Sequence, residues 1–264
     1  LVIATKLFSG VYVDYLWYSS LGRGDVFWGI WKSKLFLFGV FALVFIAVAV
    51  VNLLIADRLA PTTFAANVHP IVEQFHEFFG HRLRLFRIGV AIACGLAVAV
   101  PAMAHWQDWK MFANAKAFGI NDPQFGRDVG FYLFKLPFLV FVIDWLFVAM
   151  VIVTVLVVST HVLSGGIVFT NSRPKVRNAT KAHVAILLAI LALLKAADYW
   201  VSRYELTADT RGIVRGALYT AVHANLPALT VLSLIAVLVA VLYLSTLKSG
   251  GWRLPVVASA LWAV

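Results

Sequence analysis

Two stretches of this chain, 35–56 and 226–247, run for 22 residues each without a charged side chain. A helix rises about 1.5 Å per residue, so about 20 such residues cross a hydrocarbon core roughly 30 Å thick. A water-soluble domain seldom holds one run of this kind, and several others here are nearly as apolar. Of all residues 62% are hydrophobic and 13% charged, against roughly 45–50% and 25% in soluble domains. The chain reads as all-α, a polytopic bundle of membrane-spanning helices. A membrane barrel would instead alternate in segments of about ten residues.

Seven spans are expected, at about 1–17, 35–56, 88–106, 137–163, 182–200, 226–247 and 254–264, forming a single transmembrane domain. The first and last are too short to cross. They read as truncated, with further chain expected after 264. Pro137, Pro227 and Pro255 each fall in the first turn of a span, where the missing N–H costs nothing. The only cysteine, Cys94, sits within an apolar run and reads as a small buried hydrophobe.

The net charge of +10 does not point to nucleic acid, because the basic residues are spread over every connection and form no stripe. They fit contacts with membrane lipid headgroups better. Basic residues alone leave the orientation tied. Two features decide it. The short connections 164–181 and 248–253 carry Arg173, Lys175, Arg177, Lys181, Lys248 and Arg253 and no acid. Aromatic residues cluster on the opposite side, among them Trp17, Trp28, Trp31, Trp106, Trp109, Trp200 and Tyr204. Positive residues favour the cytoplasm. Residues 57–87, 164–181 and 248–253 are therefore expected in the cytoplasm of a plasma-membrane protein. Residues 18–34, 107–136 and 201–225 are expected outside.

Two connections should carry interfacial helices. In one, Trp106, Trp109, Ala113 and Lys116 share a helical face. In the other, 71–85, Ile71, Phe75, Phe78 and Phe79 make an apolar stripe with Glu73, Gln74, His76 and Glu77 off it.

Candidate chemistry is sparse. Asp144 lies seven residues beyond Pro137, about 10 Å in at helical rise, and Lys195 lies five residues before Trp200, about 7–8 Å in. Charges in hydrocarbon need a partner, so an interhelical ion pair between Asp144 and Lys195 is expected, as a structural clamp. Asp198, at i+3 from Lys195, is the rival partner, and Lys6 is a third intramembrane charge. Glu73, His76, Glu77 and His81 contain Glu-x-x-His, with His69 nearby, but no second copy exists to complete a metal site. His161 reads as an interfacial histidine; His183 and His223 sit at helix edges without a role. Gly165-Gly166 and Gly250-Gly251 read as turns. No catalytic residue, cofactor or metal is expected, and the chain does not read as an enzyme.

The stretch 118–138, FGINDPQFGRDVGFYLFKLPF, is less generic. With 15–27 (YLWYSSLGRGDVF), 194–206 (LKAADYWVSRYEL) and the GALYTAVHANLPAL segment within 210–229, it resembles the signature of a family of large bacterial seven-span membrane proteins of unknown function. That family is catalogued as an uncharacterised UPF-type group. The resemblance implies a large extracytoplasmic domain after the last span and assigns no catalytic residues. The expected function is an anchor or scaffold that displays this domain and docks partner envelope proteins. The alternative is a transporter or lipid-handling protein.

Overall fold

The charge-free run at 35–56 lies inside one continuous helix, α2 (Gly24–Leu59). The structure, a computed structural model, describes residues 2–60, 82–169, 174–208 and 216–249, together with 257, 258 and 260. Five helical runs among them are long and apolar enough to cross a membrane: Gly24–Leu59, Leu83–Ala113, Phe131–Leu163, Asn178–Thr207 and Ala221–Leu247. These match the second to sixth expected spans. The first expected span is helical as α1 (Val2–Ser20). The seventh lies outside the described residues, save for helical positions at 257, 258 and 260. The amphipathic stretch 71–85 also lies outside them up to residue 81, and its last residues open α3 (Leu83–Ala99).

Helix extends further than hydropathy alone marks. Most of the expected loop 18–34 is helical: α1 ends at Ser20 and α2 starts at Gly24. Gly22 closes α1 in the left-handed region, at φ 67°. The Gly22 and Arg23 amides bond the carbonyls of Ser19 and Tyr18 at 3.0 and 2.9 Å. This is the Schellman arrangement, which satisfies the orphan carbonyls of a helix end. α1 then stands apart. Its residues from Ser9 to Trp17 are exposed, and its contacts with α2 include Tyr15 and Tyr18 against Phe27.

α3 continues through a 3₁₀ segment, Val100–His105, into α4 (Trp106–Ala113). The expected interfacial helix is therefore present, but it ends before Lys116. Its aromatic face also turns onto protein rather than lipid. Trp109 meets Phe36 and Phe138 at 5.7 and 5.4 Å between ring centroids, and Phe112 meets Phe138 at 5.3 Å.

α5 (Leu136–Leu163) and α7 (Leu226–Ser249) share an entrance. Neither begins at its proline. A π turn precedes each, at Phe131–Lys135 and Ala221–Asn225. The Leu136 and Leu226 amides reach back five residues, to the carbonyls of Phe131 and Ala221. A proline ring clashes with the carbonyl four residues earlier, here that of Leu133 or His223, and a wider turn moves that carbonyl aside.

α5 and α6 (Asn178–Ala208) are joined by a two-stranded antiparallel hairpin, β1 (Ile167–Phe169) with β2 (Pro174–Val176). Among the described residues this short hairpin departs from an all-α description. It defines the hairpin end of the bundle. The opposite, loop end carries the α1–α2 turn and residues 114–130.

Packing in lipid has no water to drive it, so close approach matters more than bulk. α3 presents Ala91, Gly95 and Ala99, the 3₁₀ segment adds Ala102, and the three alanines are wholly buried. A Cβ at Gly95 would fall 2.5 Å from Ile46 Cγ1 of α2. α2 answers with Phe45, Ala49, Leu53 and Ala56. Phe138, Trp145, Val153 and Val157 of α5 complete this core, with Leu187 and Leu191 of α6. A second seam joins Ala189 and Ala192 of α6 to Val239, Ala240 and Tyr243 of α7. There the Ser233 hydroxyl donates to the Ala196 carbonyl at 3.0 Å.

Candidate functional site

Among the described residues, polar side chains gather at three places. The first is the pair of charges expected inside the spans. Lys195 makes its ion pair with Asp198, the i+3 partner on its own helix. Its ammonium also lies over the rings of Tyr199 and Phe147, 4.9 and 5.7 Å from their centroids. Ser202 donates to Asp198 at 3.5 Å. Asp144 stands on α5 one turn from Phe147, exposed, in electrostatic range of both charges. A helix supplies its i+3 neighbour without any adjustment of the interhelical distance, which explains why Asp198 takes the bridge. α5 and α6 thus bring Asp144 and Lys195 to one region.

The second place is the hairpin end, where sequence reasoning saw only interfacial polarity. His161 is fully buried and His183 nearly so. Their rings meet edge to face, with Nε2 of His161 3.1 Å from Nδ1 of His183. Nε2 of His183 lies 3.1 Å from Asn52 Oδ1 on α2, and Thr180 Oγ1 lies 3.4 Å from Nδ1 of His161. Asn52 Nδ2 donates to the Val48 carbonyl at 2.8 Å. Beside this chain, Arg87 of α3 bridges Asp57 of α2 and donates to Ser164 at 3.0 Å. Arg84 approaches the same carboxylate at 3.8 Å. Three spans and the start of α3 are thereby tied together by polar groups.

The local cause is the end of α5. Gly165 takes the left-handed conformation at φ 71°, and the Gly166 amide returns to the His161 carbonyl at 2.8 Å. A Cβ on Gly166 would fall 2.8 Å from Thr180 Oγ1 and 3.2 Å from His161 Nδ1. The paired glycines therefore do more than turn. They let the hairpin close tightly enough for α6 to bring Thr180 and His183 onto His161. The interfacial reading of His161 is thus corrected to a buried one. The signal was present: His161 and His183 flank the 164–181 connection almost symmetrically.

The third place is the loop 114–130. Asp128 accepts hydrogen bonds from the Phe118, Gly119 and Gly130 amides at 3.1, 2.8 and 2.7 Å. The Phe118 amide is the largest influence holding its carboxyl below the usual carboxylate range, and the other two amides act the same way against partial desolvation. Asp122 caps the next turn, accepting from the Phe125 amide at 2.6 Å and from the Tyr132 hydroxyl at 3.0 Å. A Cβ at Gly130 would overlap the Lys116 carbonyl, at 2.2 Å. The loop is clamped to the end of α6. Tyr204 meets Phe125 and Phe131 at 4.9 and 5.4 Å, and the Arg203 guanidinium lies 4.2 Å from the Trp200 ring and 5.7 Å from that of Phe125. The stretches 118–138 and 194–206, separate in sequence, form one surface.

Among the described residues, no three His, Cys, Asp or Glu side chains are placed to hold a metal ion. Glu73, His76, Glu77, His81 and His69 lie outside them, as do the side chain of Lys6 and Gly250-Gly251. Cys94 is half-buried against the α2–α3–α5 core. His223 belongs to the second π turn, where it stacks on Tyr219 and donates to its carbonyl at 3.0 Å.

The whole chain, residues 1–264, matches the model of an uncharacterised protein family, UPF0182. It is 34% identical over 264 residues to a UPF0182 protein of a Nocardioides species, covering 99% of this chain and 26% of that protein. It is 35% identical over 263 residues to a UPF0182 protein of Mycobacterium marinum, with the same coverage. With a UPF0182 protein of Frankia alni it shares 34% over 249 residues, 94% of this chain and 24% of the relative. The chain spans about a quarter of the length of the curated relatives it matches. No solved structure matches it.

Proposed function

Because the chain belongs to the uncharacterised protein family UPF0182, we propose that it is the membrane-embedded part of an anchor or scaffold that displays an extracytoplasmic domain and docks envelope proteins. In this reading the domain sits in the plasma membrane, hairpin end toward the cytoplasm, and performs no covalent chemistry. Its lipid partners are the acyl chains and headgroups around it.

The observation that carries the reading is the loop 114–130. A connection of this length is usually loose unless it has a task. Here it is pinned by carboxylate-to-amide hydrogen bonds and by the aromatic clamp on Tyr204. Yet it holds Phe118, Ile120 and Val129 exposed, Ile120 by 66%. A rigid loop with an apolar tip suits recognition of another protein at the membrane edge, because little ordering entropy is lost on contact.

The test is photo-crosslinking in intact cells, with a photoreactive residue at Ile120 or, as a lipid-facing control, at Leu234. Protein adducts from position 120 with only lipid adducts from 234 support docking. Lipid adducts alone from both positions remove it. The buried histidine chain favours transport as a second reading. Its distinguishing result is pH-gradient-driven uptake in reconstituted vesicles that His183→Gln abolishes.

A further inference from the structure

The polarity of the buried histidine chain can be derived from its end. The Val48 carbonyl only accepts, so the Asn52 group facing it is the amide NH₂, and Oδ1 faces His183. His183 must then donate from Nε2, which leaves Nδ1 as the acceptor in the neutral ring. His161 therefore donates from its own Nε2 across the 3.1 Å contact. Its Nδ1 is left as a lone pair, facing the Thr180 hydroxyl. Every bond runs in one direction, and both imidazoles are neutral Nε2–H tautomers.

The geometry points to a one-proton site shared between His161 and His183, a site that does not depend on the scaffold reading. A hydronium ion gives up a proton to the Nδ1 lone pair of His161, so that one O–H bond breaks, one N–H bond forms and a water molecule is left. The Thr180 hydroxyl, which can donate or accept, turns so that its oxygen receives that N–H. The proton between the two rings can then rest on either nitrogen with no other change, so the charge is held jointly. A second proton finds no place, because both rings would present N–H groups to each other across the contact. Asn52 terminates the chain, since an amide does not pass a proton onward. The proton is therefore held at the two rings and goes no further along this chain than Asn52.

Among the described residues, the charged groups around it are few. Arg87, from α3, lies in electrostatic range of His161, opposes the added charge and is itself held by Asp57 of α2. Asn52 on the α2 side and Thr180 on α6 are neutral, and Ser164 is bonded to Arg87.

The test is nitrogen NMR on the intact protein with ring-labelled histidine in lipid bilayers, swept from neutral to acid pH. His161→Gln and His183→Gln serve to assign signals. At neutral pH both rings should show a pyrrole-type Nε2 and a pyridine-type Nδ1. On acidification the two should change together at one midpoint, with uptake of a single proton. A pyrrole-type Nδ1 on either ring at neutral pH, or two independent titrations, overturns the proposal. If the glutamine variants do not fold, Thr180→Val and Thr180→Ser give a second measurement. Valine removes a hydrogen bond that is stronger to the charged ring than to the neutral one, so proton affinity should fall about fivefold, whereas serine retains it. Equal affinity in the valine variant also overturns the assignment.

Discussion

Trp145 shows what a single side chain contributes where water is absent. In the 3₁₀ segment after α3, the residue placed to donate to the Val98 carbonyl is Pro101, which has no N–H. The Trp145 indole, from α5, donates to that carbonyl at 2.9 Å. Its ring also packs edge-on to Phe41 at 4.6 Å. Trp145→Phe should keep much of the ring contact and strand the carbonyl. The expected loss is about 1–2 kcal/mol, read as earlier thermal unfolding in detergent or nanodiscs. Nothing in the sequence pairs Trp145 with Val98, because the two lie on different spans with no shared spacing. The same holds for Asn52 and His183. Asp144 and Lys195 were legible as intramembrane charges because hydropathy makes any charge conspicuous. Asp198 was legible as a partner of Lys195 from its i+3 spacing, but the choice between it and Asp144 was not, since depth along a helix says nothing of the angle around it.

Among elements, the loop 114–130 depends most directly on pH. Asp128 keeps its proton off more readily when folded than when unfolded, chiefly through the Phe118 amide. Its contribution to loop order is therefore complete above the ordinary value of 3.8 and declines as pH falls through the depressed folded value. Amide exchange at Phe118, Gly119 and Gly130 should be slow near neutral pH. Below about pH 4, after correction for intrinsic exchange, protection at these three should fall before that of the spans. Asp128→Asn should lose the pH dependence and keep a weaker form of the loop. Spans two to six were readable from apolar length, a coarse but dependable signal. Their ends were not. Helix continues through polar residues such as Asp25 and Arg58 wherever the backbone finds no reason to stop. It stops where Gly22 or Gly165 supplies a left-handed residue. The β1–β2 hairpin was hidden because three-residue strands leave no periodicity to detect.

At the level of the whole molecule, the described residues form two seams of small residues and leave wide apolar faces for lipid, such as those with Leu43 and Leu234. Its two ends differ in character. The hairpin end joins α2, α3, α5 and α6 through Arg87, Asp57, Asn52 and the histidines. The loop end is aromatic. The proposed sidedness predicts a labelling pattern. With Cys94→Ser as background, a cysteine replacing Lys116 should react with an impermeant maleimide in intact cells. One replacing Arg177 should react only after permeabilisation. The reverse pattern would invert the proposed topology and leave the helical packing untouched.

The twin π turns ahead of α5 and α7 carry a consequence for angular phase. Each inserts one surplus residue between a loop and its span, and one residue is worth about 100° around a helix axis. Excising a residue from 131–135 would spin the aromatic loop relative to everything beyond Pro137. Phe131 and Tyr132 could then grip Tyr204, or Trp145 could reach Val98, but a rigid helix could not do both. The wide turn is the gearing that lets one continuous rod serve two neighbours at once.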